Sequence, residues 1–302
     1  MRILVFGAGS LGCAMGGILA QRHEIVLVGR KENMDAVNRN GLHLTGEVEA
    51  TLNVETRETA EDLEAPDLMI LTTKAYHTKS VVDALARLPW DDTPVLTLQN
   101  GLGNLELIRA WKGSRAFGGT TTMGASLLSP GNVRISGLGR TVIGSDMDAL
   151  GAKRLAEALS ACGLIVDVGL NIVAEIWAKA IVNACINPLT AILRVPNGKL
   201  LESETISRLM SELCDECVAV AKAAGVVLPE ERMMDRVRTV AEDTAENRSS
   251  MLRDVELGRR TEIAQMNGMM CKIGSHHRVH IPLNRAMAAM VEALEPGGLE
   301  KG

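Results

Sequence analysis

Aromatic side chains are almost missing from this chain of 302 residues: two Phe, one Tyr and three Trp make up 2% of it. Binders of single-stranded nucleic acid stack bases on aromatic platforms, and here there is little to build one from. A long block of lysine and arginine is missing too, and the formal net charge is −5, so the basic footprint of a phosphate-backbone binder is absent. Nucleic acid is not an expected partner. The sequence has no Pro/Ser-rich linker and no internal repeat, which points to closely packed domains. Beyond the N-terminal segment nothing resembles an uninterrupted membrane span, so no membrane partner is expected.

Cysteine is sparse and scattered. The six, at 13, 162, 185, 214, 217 and 271, lie mostly in apolar segments where reduced, buried thiols are normal. A reducing, cytoplasmic compartment fits best. Cys214 and Cys217 form a CxxC, with His276, His277 and His280 downstream. The pair falls in a helical stretch, however, and has neither a second CxxC nor zinc-finger histidine spacing, so no metal is expected.

What the chain does have is aliphatic bulk, 46% hydrophobic residues and fifteen methionines, enough for two domains. Its opening, "MRILVFGAGSLGCAMGGILA", imitates a signal peptide. The equally apolar "EIVLVGR" that follows at βαβ spacing favours a folded, retained start. "RILVFG", "EIVLVGR", "PDLMILTTK" and "DTPVLTLQN" read as buried strands, and helical segments such as "HTKSVVDALARL" lie between them. That alternation predicts an α/β domain, a Rossmann-type doubly wound parallel sheet. The Gly-, Thr- and Ser-rich stretch from 115 to 144 predicts antiparallel or edge strands joined by turns such as Pro130-Gly131. From about residue 171 strand signals stop and long helices take over. The expected division is 1–170, a cofactor-binding Rossmann domain, and 171–302, an all-α substrate domain.

Gly7, Gly9 and Gly12 form GxGxxG in "GAGSLG", after a strand and opening a helix. In that context the glycines give a tight turn, close backbone approach to a pyrophosphate and close helix–strand packing, while the helix N-terminus favours the phosphates. The cofactor-binding loop is therefore Gly7, Ala8, Gly9, Ser10, Leu11 and Gly12. Where NAD-binding proteins place an acidic residue for the ribose 2′-hydroxyl, this second strand ends in "VGRKEN". Arg30 and Lys31 suit a 2′-phosphate, and so NADPH; Glu32 keeps NADH as the alternative. Lys74 in "TTK" and Asn100 in "LQNG" sit at carboxyl ends of strands, where ligands of open α/β sheets lie, unless they are surface punctuation.

In "EIWAKAIVNACINPLTAILRVPNGK", Lys179, Asn183 and Asn187 recur every four residues and share one helical face. Pro188 predicts a kink or break there. One ammonium and two amides then point the same way, either towards a ligand or with the lysine snorkelling to water and the amides capping the kink.

Taken together, "GAGSLG", "TTKAY", "LQNGLGN", "WAKAIVNACINPLTA" and "AENRSSMLRDVELGRRTEI" resemble the ketopantoate reductases (2-dehydropantoate 2-reductases) over nearly the whole chain. The resemblance implies NADPH-dependent reduction of ketopantoate to (R)-pantoate on the route to pantothenate and coenzyme A. It also implies roles: Lys179 matches the catalytic lysine, Glu262 in "TEI" the substrate-binding glutamate, and Asn183 and Asn187 residues that help hold substrate. Asn247 and Ser250 match positions contacting its carboxylate and neighbouring groups, and Asn100 and Lys74 positions near cofactor and active site. Arg248 receives no role.

The chemistry makes separate sense of this set. Hydride addition to a ketone builds negative charge on oxygen, which an ammonium stabilises and then protonates. Glu262 would hold the lysine charged and oriented, and Glu175, four residues before Lys179, is expected to be a surface partner. Ser249 and Ser250 also make a plausible helix start, with capping as the structural alternative. Two rival functions stand beside the reductase: a paralogue acting on another 2-keto acid, and a non-catalytic NADPH sensor. The expected partners are the small keto acid and, compatible with but not read from the sequence, a second copy in a homodimer.

Overall fold

The structure, a computed structural model, describes residues 1–229 and 232–300. The apolar run at the start becomes β1 (Arg2–Phe6), followed by α1 (Ser10–Leu19), β2 (Glu24–Val28), α2 (Lys31–Asn40), β3 (Leu42–Gly46), β4 (Ala50–Leu52) and β5 (Glu55–Arg57). Then come β6 (Leu68–Leu71), α3 (Thr78–Leu85), β7 (Val95–Thr97), α4 (Asn104–Lys112), β8 (Ala116–Thr121), β9 (Gly124–Ser129), β10 (Asn132–Gly137), β11 (Arg140–Gly144), α5 (Ala149–Ser160) and β12 (Ile165–Val168).

Eight of these strands form one sheet in the order β12-β11-β8-β7-β6-β1-β2-β5. Every neighbouring pair is parallel except β8 with β11. The strands β6 and β7 are buried along their whole length, as their unbroken aliphatic runs require of a sheet covered on both faces. From β1 the chain steps outward to β2 on one side and later to β6 on the other. Right-handed crossovers place the intervening helices on opposite faces, and the strand order reverses at β1. The segment that imitates a signal peptide is thus a central strand and its helix.

The Gly-, Thr- and Ser-rich stretch divides. Its first strand, β8, lies inside the large sheet, while β9 and β10 form a hairpin around Pro130-Gly131, with Gly131 at φ +79°. That hairpin belongs to a second sheet of order β4-β3-β10-β9, in which β10 runs parallel to β3.

The helical part comprises α6 (Ile172–Leu193), α7 (Glu204–Ala223), α8 (Met233–Asp243), α9 (Ser250–Glu256), α10 (Asn267–His276) and α11 (Pro282–Leu294). Among the described residues α6 is the one helix long and apolar enough to cross a membrane, but 72% of that window is buried inside the protein. Of the kink or break expected at Pro188, the break does not occur: α6 is one continuous helix from Ile172 to Leu193 with the proline inside it. Two things hold it. Ala184, Cys185, Ile186 and Leu189 are at most 3% exposed, and the carbonyl of Ala184, which has no N–H to accept from at Pro188, accepts from the Asn267 side chain at 3.0 Å.

The chain divides into two compact units, one of Met1–Gln99 with Asn104–Ile172, the other of Asn100–Gly103 with the chain from Val173 onward. Each has its own core, the first built on Ile3, Val5, Leu27, Ile70 and Leu96, the second on Ile181, Cys185, Met210, Leu213 and Val237.

Candidate active site

In the sheet unit the carboxyl ends of β1, β2 and β6 come level, with Phe6 paired to both Val28 and Leu71. The glycine loop leaves β1 there, and its three glycines differ in what they permit. Gly7 has φ +115°, and a Cβ on it would lie 2.4 Å from the Thr73 nitrogen. A Cβ on Gly12 would lie 2.2 Å from the Gly7 carbonyl oxygen, so helix and loop touch backbone to backbone. Gly9, the N-cap of α1, is different: its Cβ would meet nothing nearer than the Gly7 oxygen at 4.0 Å. Open space beside an N-terminus that no side chain caps is what a pyrophosphate needs. Ala8 is buried, and its carbonyl accepts from Asn33; Leu11 is half-buried and packs against the core. The Ser10 hydroxyl oxygen accepts from the Leu127 backbone N–H at 2.9 Å, tying the first turn of α1 to β9.

Asn33, which sequence reasoning missed, fixes the loop from below. It is 6% exposed, donates to the Ala8 carbonyl at 2.8 Å, and accepts from the Gly131 N–H at 2.7 Å. An asparagine among polar helix residues gives no sign of this in sequence.

Arg30, directly after β2, is the N-cap of α2; it is exposed and its side chain makes no hydrogen bond or ion pair among the described residues. Lys31, expected to share a 2′-phosphate, is instead paired with Asp35 at 3.4 Å and Glu58 at 3.3 Å. Lys74 is half-buried after β6, at the start of a 3₁₀ turn. Gln99, buried after β7, donates to the Thr73 carbonyl at 3.0 Å and to the Thr78 hydroxyl at 2.8 Å, bracing the two strand ends.

In the helical unit α6 carries Lys179, Asn183 and Asn187 along one face. Lys179 keeps some exposure as a residue, but burial of its ammonium pushes its pKa down to about 8, and the attraction of Glu262 offsets part of that. Glu262 is 5% exposed and opens a 3₁₀ turn, Ile263–Gln265. The residue before it, Thr261, donates its N–H at 2.9 Å and its hydroxyl at 2.6 Å to Glu295, so the turn is fastened to the end of α11. Glu175 pairs with Arg236 of α8 at 3.6 Å.

Asn100 belongs to this helical unit, in a four-residue segment held by the Leu102 N–H donating to the Gln265 carbonyl at 3.0 Å. Leu102 is 4% exposed within the helical core. Asn100 and the Glu262-bearing turn are therefore parts of one body.

The two serines before α9 separate. Ser249 is the buried N-cap, accepting from the Leu252 N–H at 3.0 Å, and its hydroxyl lies 2.7 Å from that of Thr190 on α6. Ser250 opens the helix with an exposed side chain, and Asn247 is exposed three residues earlier. Arg248, just before α9, is paired with Glu256, the last residue of that helix. Asn187 is 7% exposed, and its amide lies 3.8 Å from the Met266 sulfur. The thiols of the CxxC, Cys214 and Cys217, are buried against Cys185 of α6; hydrogen bonding to them and burial push the Cys185 thiol well above its usual range.

Residues 3–147 match the family described as ketopantoate reductase PanE/ApbA, and residues 171–295 match the C-terminal family of the same enzymes. A 2-dehydropantoate 2-reductase of Pyrococcus horikoshii is 36% identical over 301 residues, covering 99% of each chain. This chain belongs to the ketopantoate reductase family. Among solved structures, a PanE/ApbA family ketopantoate reductase from Ralstonia eutropha superposes with a TM-score of 0.92 at 30% identity, covering 99% of this chain and 100% of that one. A D-mandelate dehydrogenase bound to NADH and anilino(oxo)acetate superposes with a TM-score of 0.93 at 28% identity and the same coverage. The family is one of nicotinamide-dependent oxidoreductases.

Proposed function

We propose that this protein reduces 2-dehydropantoate to (R)-pantoate with NADPH, the step that feeds pantothenate and coenzyme A synthesis, and that Lys179 is its general acid. The observation that carries the reading is the half-buried lysine on α6 in the field of a buried glutamate, within a chain of this family.

The loop Gly7–Gly12 and the uncapped start of α1 would hold the pyrophosphate, Arg30 the 2′-phosphate, and Lys74 and Asn100 would lie towards the nicotinamide half. When bound, the nicotinamide supplies the hydride that reduces the keto carbon. Lys179 donates a hydrogen bond to the keto oxygen and stabilises the negative charge that grows there. It then gives up its proton to leave a hydroxyl and a neutral amine. A depressed pKa serves this role, since a lysine at about 8 is still mostly protonated at neutral pH but releases its proton readily. Glu262 keeps the ammonium charged until that moment and accepts from the substrate's terminal hydroxyl. Asn183, Asn187, Asn247, Ser250 and Asn100 orient the small polar acid through amides and a hydroxyl.

The test is the loss of NADPH absorbance with purified protein and ketopantoate, beside ketoisovalerate, pyruvate and an NADH control. Rapid oxidation with ketopantoate and NADPH alone is the expected result. A second reading is an NADH-linked oxidoreductase acting on another 2-keto acid, favoured by the likeness to the D-mandelate dehydrogenase and its bound NADH. Turnover of aryl keto acids with NADH in the same assay would select it.

A further inference from the structure

Proline in the interior of α6 removes one donor from the helix ladder. The N–H that Pro188 lacks is the one the carbonyl of Ala184 would accept. A buried carbonyl without a donor costs about 1–3 kcal/mol, and this one lies between Asn183 and Asn187 on the helix that carries Lys179. The missing donor comes from another element. Asn267, the first residue of α10 and 0% exposed, donates its amide to the Ala184 carbonyl at 3.0 Å.

The same amide donates to the Asn284 side chain at 2.9 Å. Asn284, also 0% exposed, donates in turn to Glu216 of α7 at 2.9 Å, and that carboxylate accepts the first N–H groups of α11. Asn267 is thereby held on both sides, and its side-chain oxygen has no hydrogen-bond partner among the described residues. This is a side chain placed for its donor, not for general polarity.

Position in the chain gives the bond its consequence. Asn267 follows directly on the turn that begins at Glu262, and its neighbour Met266 touches the Asn187 amide. We propose that Asn267 is a positioning residue: its amide supplies the donor that Pro188 takes from α6, and so fastens the Glu262-bearing turn to the Lys179-bearing helix. The inference rests on Lys179 acting as the acid. Of the charged groups around the lysine, Glu262 acts on it from this turn; on its own helix Glu175 is engaged by Arg236.

Three variants test it: Asn267→Leu, Pro188→Ala and the double variant. Pro188→Ala returns the N–H to the ladder and should by itself leave kcat/KM unchanged. Asn267→Leu should lower kcat about 10- to 100-fold, the scale of a small misplacement of reacting groups, with much less change in KM. It should also move the alkaline fall of kcat to lower pH as Glu262 loses its hold on the lysine. In the double variant the restored ladder bond satisfies the Ala184 carbonyl but does not refasten the turn, so most of the loss should remain, whereas a loss due only to the stranded carbonyl would be recovered. Asn267→Ser replaces the leucine variant if that fails to fold.

A folded Asn267→Leu with unchanged kcat and pH profile overturns the proposal, as does a loss that Pro188→Ala rescues. Titration of the Lys179 side chain by carbon NMR, in protein with labelled lysine and no substrate, reads the same displacement. If the protein fails to reduce ketopantoate, that titration still decides this inference separately.

Discussion

Reduction by this protein should fail in mildly alkaline solution, where an ordinary lysine would still be charged. The Lys179 pKa is lowered from 10.5 to about 8 by burial, net of the attraction of Glu262. That displacement corresponds to roughly 3 kcal/mol of preference for the neutral amine. One pH unit above its pKa only about a tenth of the molecules carry the proton to be donated, so kcat/KM for ketopantoate should fall about tenfold per unit beyond about pH 8. With an unperturbed lysine the plateau would extend about two units further. The assay is initial-rate NADPH oxidation across pH at subsaturating ketopantoate, with the reverse oxidation of pantoate, which needs the neutral amine, rising over the same range. Glu262→Gln removes the attraction that raises the pKa, so its falling limb should lie at lower pH than in the wild type. Stability has the opposite slope: between about pH 8 and 10.5 the unfolded chain binds more protons, so the folded state gains as pH rises through that window. A rate that stays level to about pH 10, or a Glu262→Gln profile displaced upward, would refute both the burial argument and the acid role.

Lys179→Ala should lower turnover by about 100-fold or more while NADPH affinity, measured by fluorescence titration, stays near wild type. Gly9→Ala and Gly12→Ala should part company: the first leaves the melting temperature almost unchanged but weakens the dinucleotide, because its methyl enters open space, whereas the second destabilises the fold against the Gly7 carbonyl. Arg30→Ala should weaken NADPH about tenfold with little effect on NADH, and Lys31→Ala, whose charge is spent on Asp35 and Glu58, should change neither much. Ser249→Ala should cost about 1 kcal/mol in denaturant unfolding through the lost cap; Ser250→Ala should leave stability alone and raise the KM for ketopantoate.

The doubly wound sheet was legible because its signals are local. Each buried strand is a short unbroken aliphatic run, and the glycine loop marks the first turn of a βαβ unit. The second sheet was not, because β3 and β4 are short, partly polar segments, and β3 joins them to the β9–β10 hairpin only by pairing with β10, His43 against Asn132, 89 residues later in the chain. In the helical part the periodicity of Lys179, Asn183 and Asn187 showed the face they share. What the sequence could not show is that α6 continues past Pro188, since whether a proline breaks a helix depends on whether another element donates to the stranded carbonyl, and that donor, Asn267, lies 79 residues beyond the proline. The pairing of Lys31 was hidden similarly, as Glu58 comes from beyond three intervening strands. Between Ser249 and Ser250, both suited to a cap, only backbone geometry chooses.

The loan of Asn100–Gly103 to the helical unit bears on how this protein can be taken apart. Because the chain passes from one unit to the other after Gln99, after Gly103 and after Ile172, no single cut yields two self-sufficient pieces. A fragment ending at Ile172 would carry a short tongue whose Leu102 side chain belongs in a core it no longer has, flanked by Gly101 at φ +86° and Gly103 at φ +92°. The complementary fragment would lack a plug that its own core is built to receive. Two-part complementation, or the exchange of helical units between relatives, should therefore succeed only when this tetrapeptide matches the helices it is paired with.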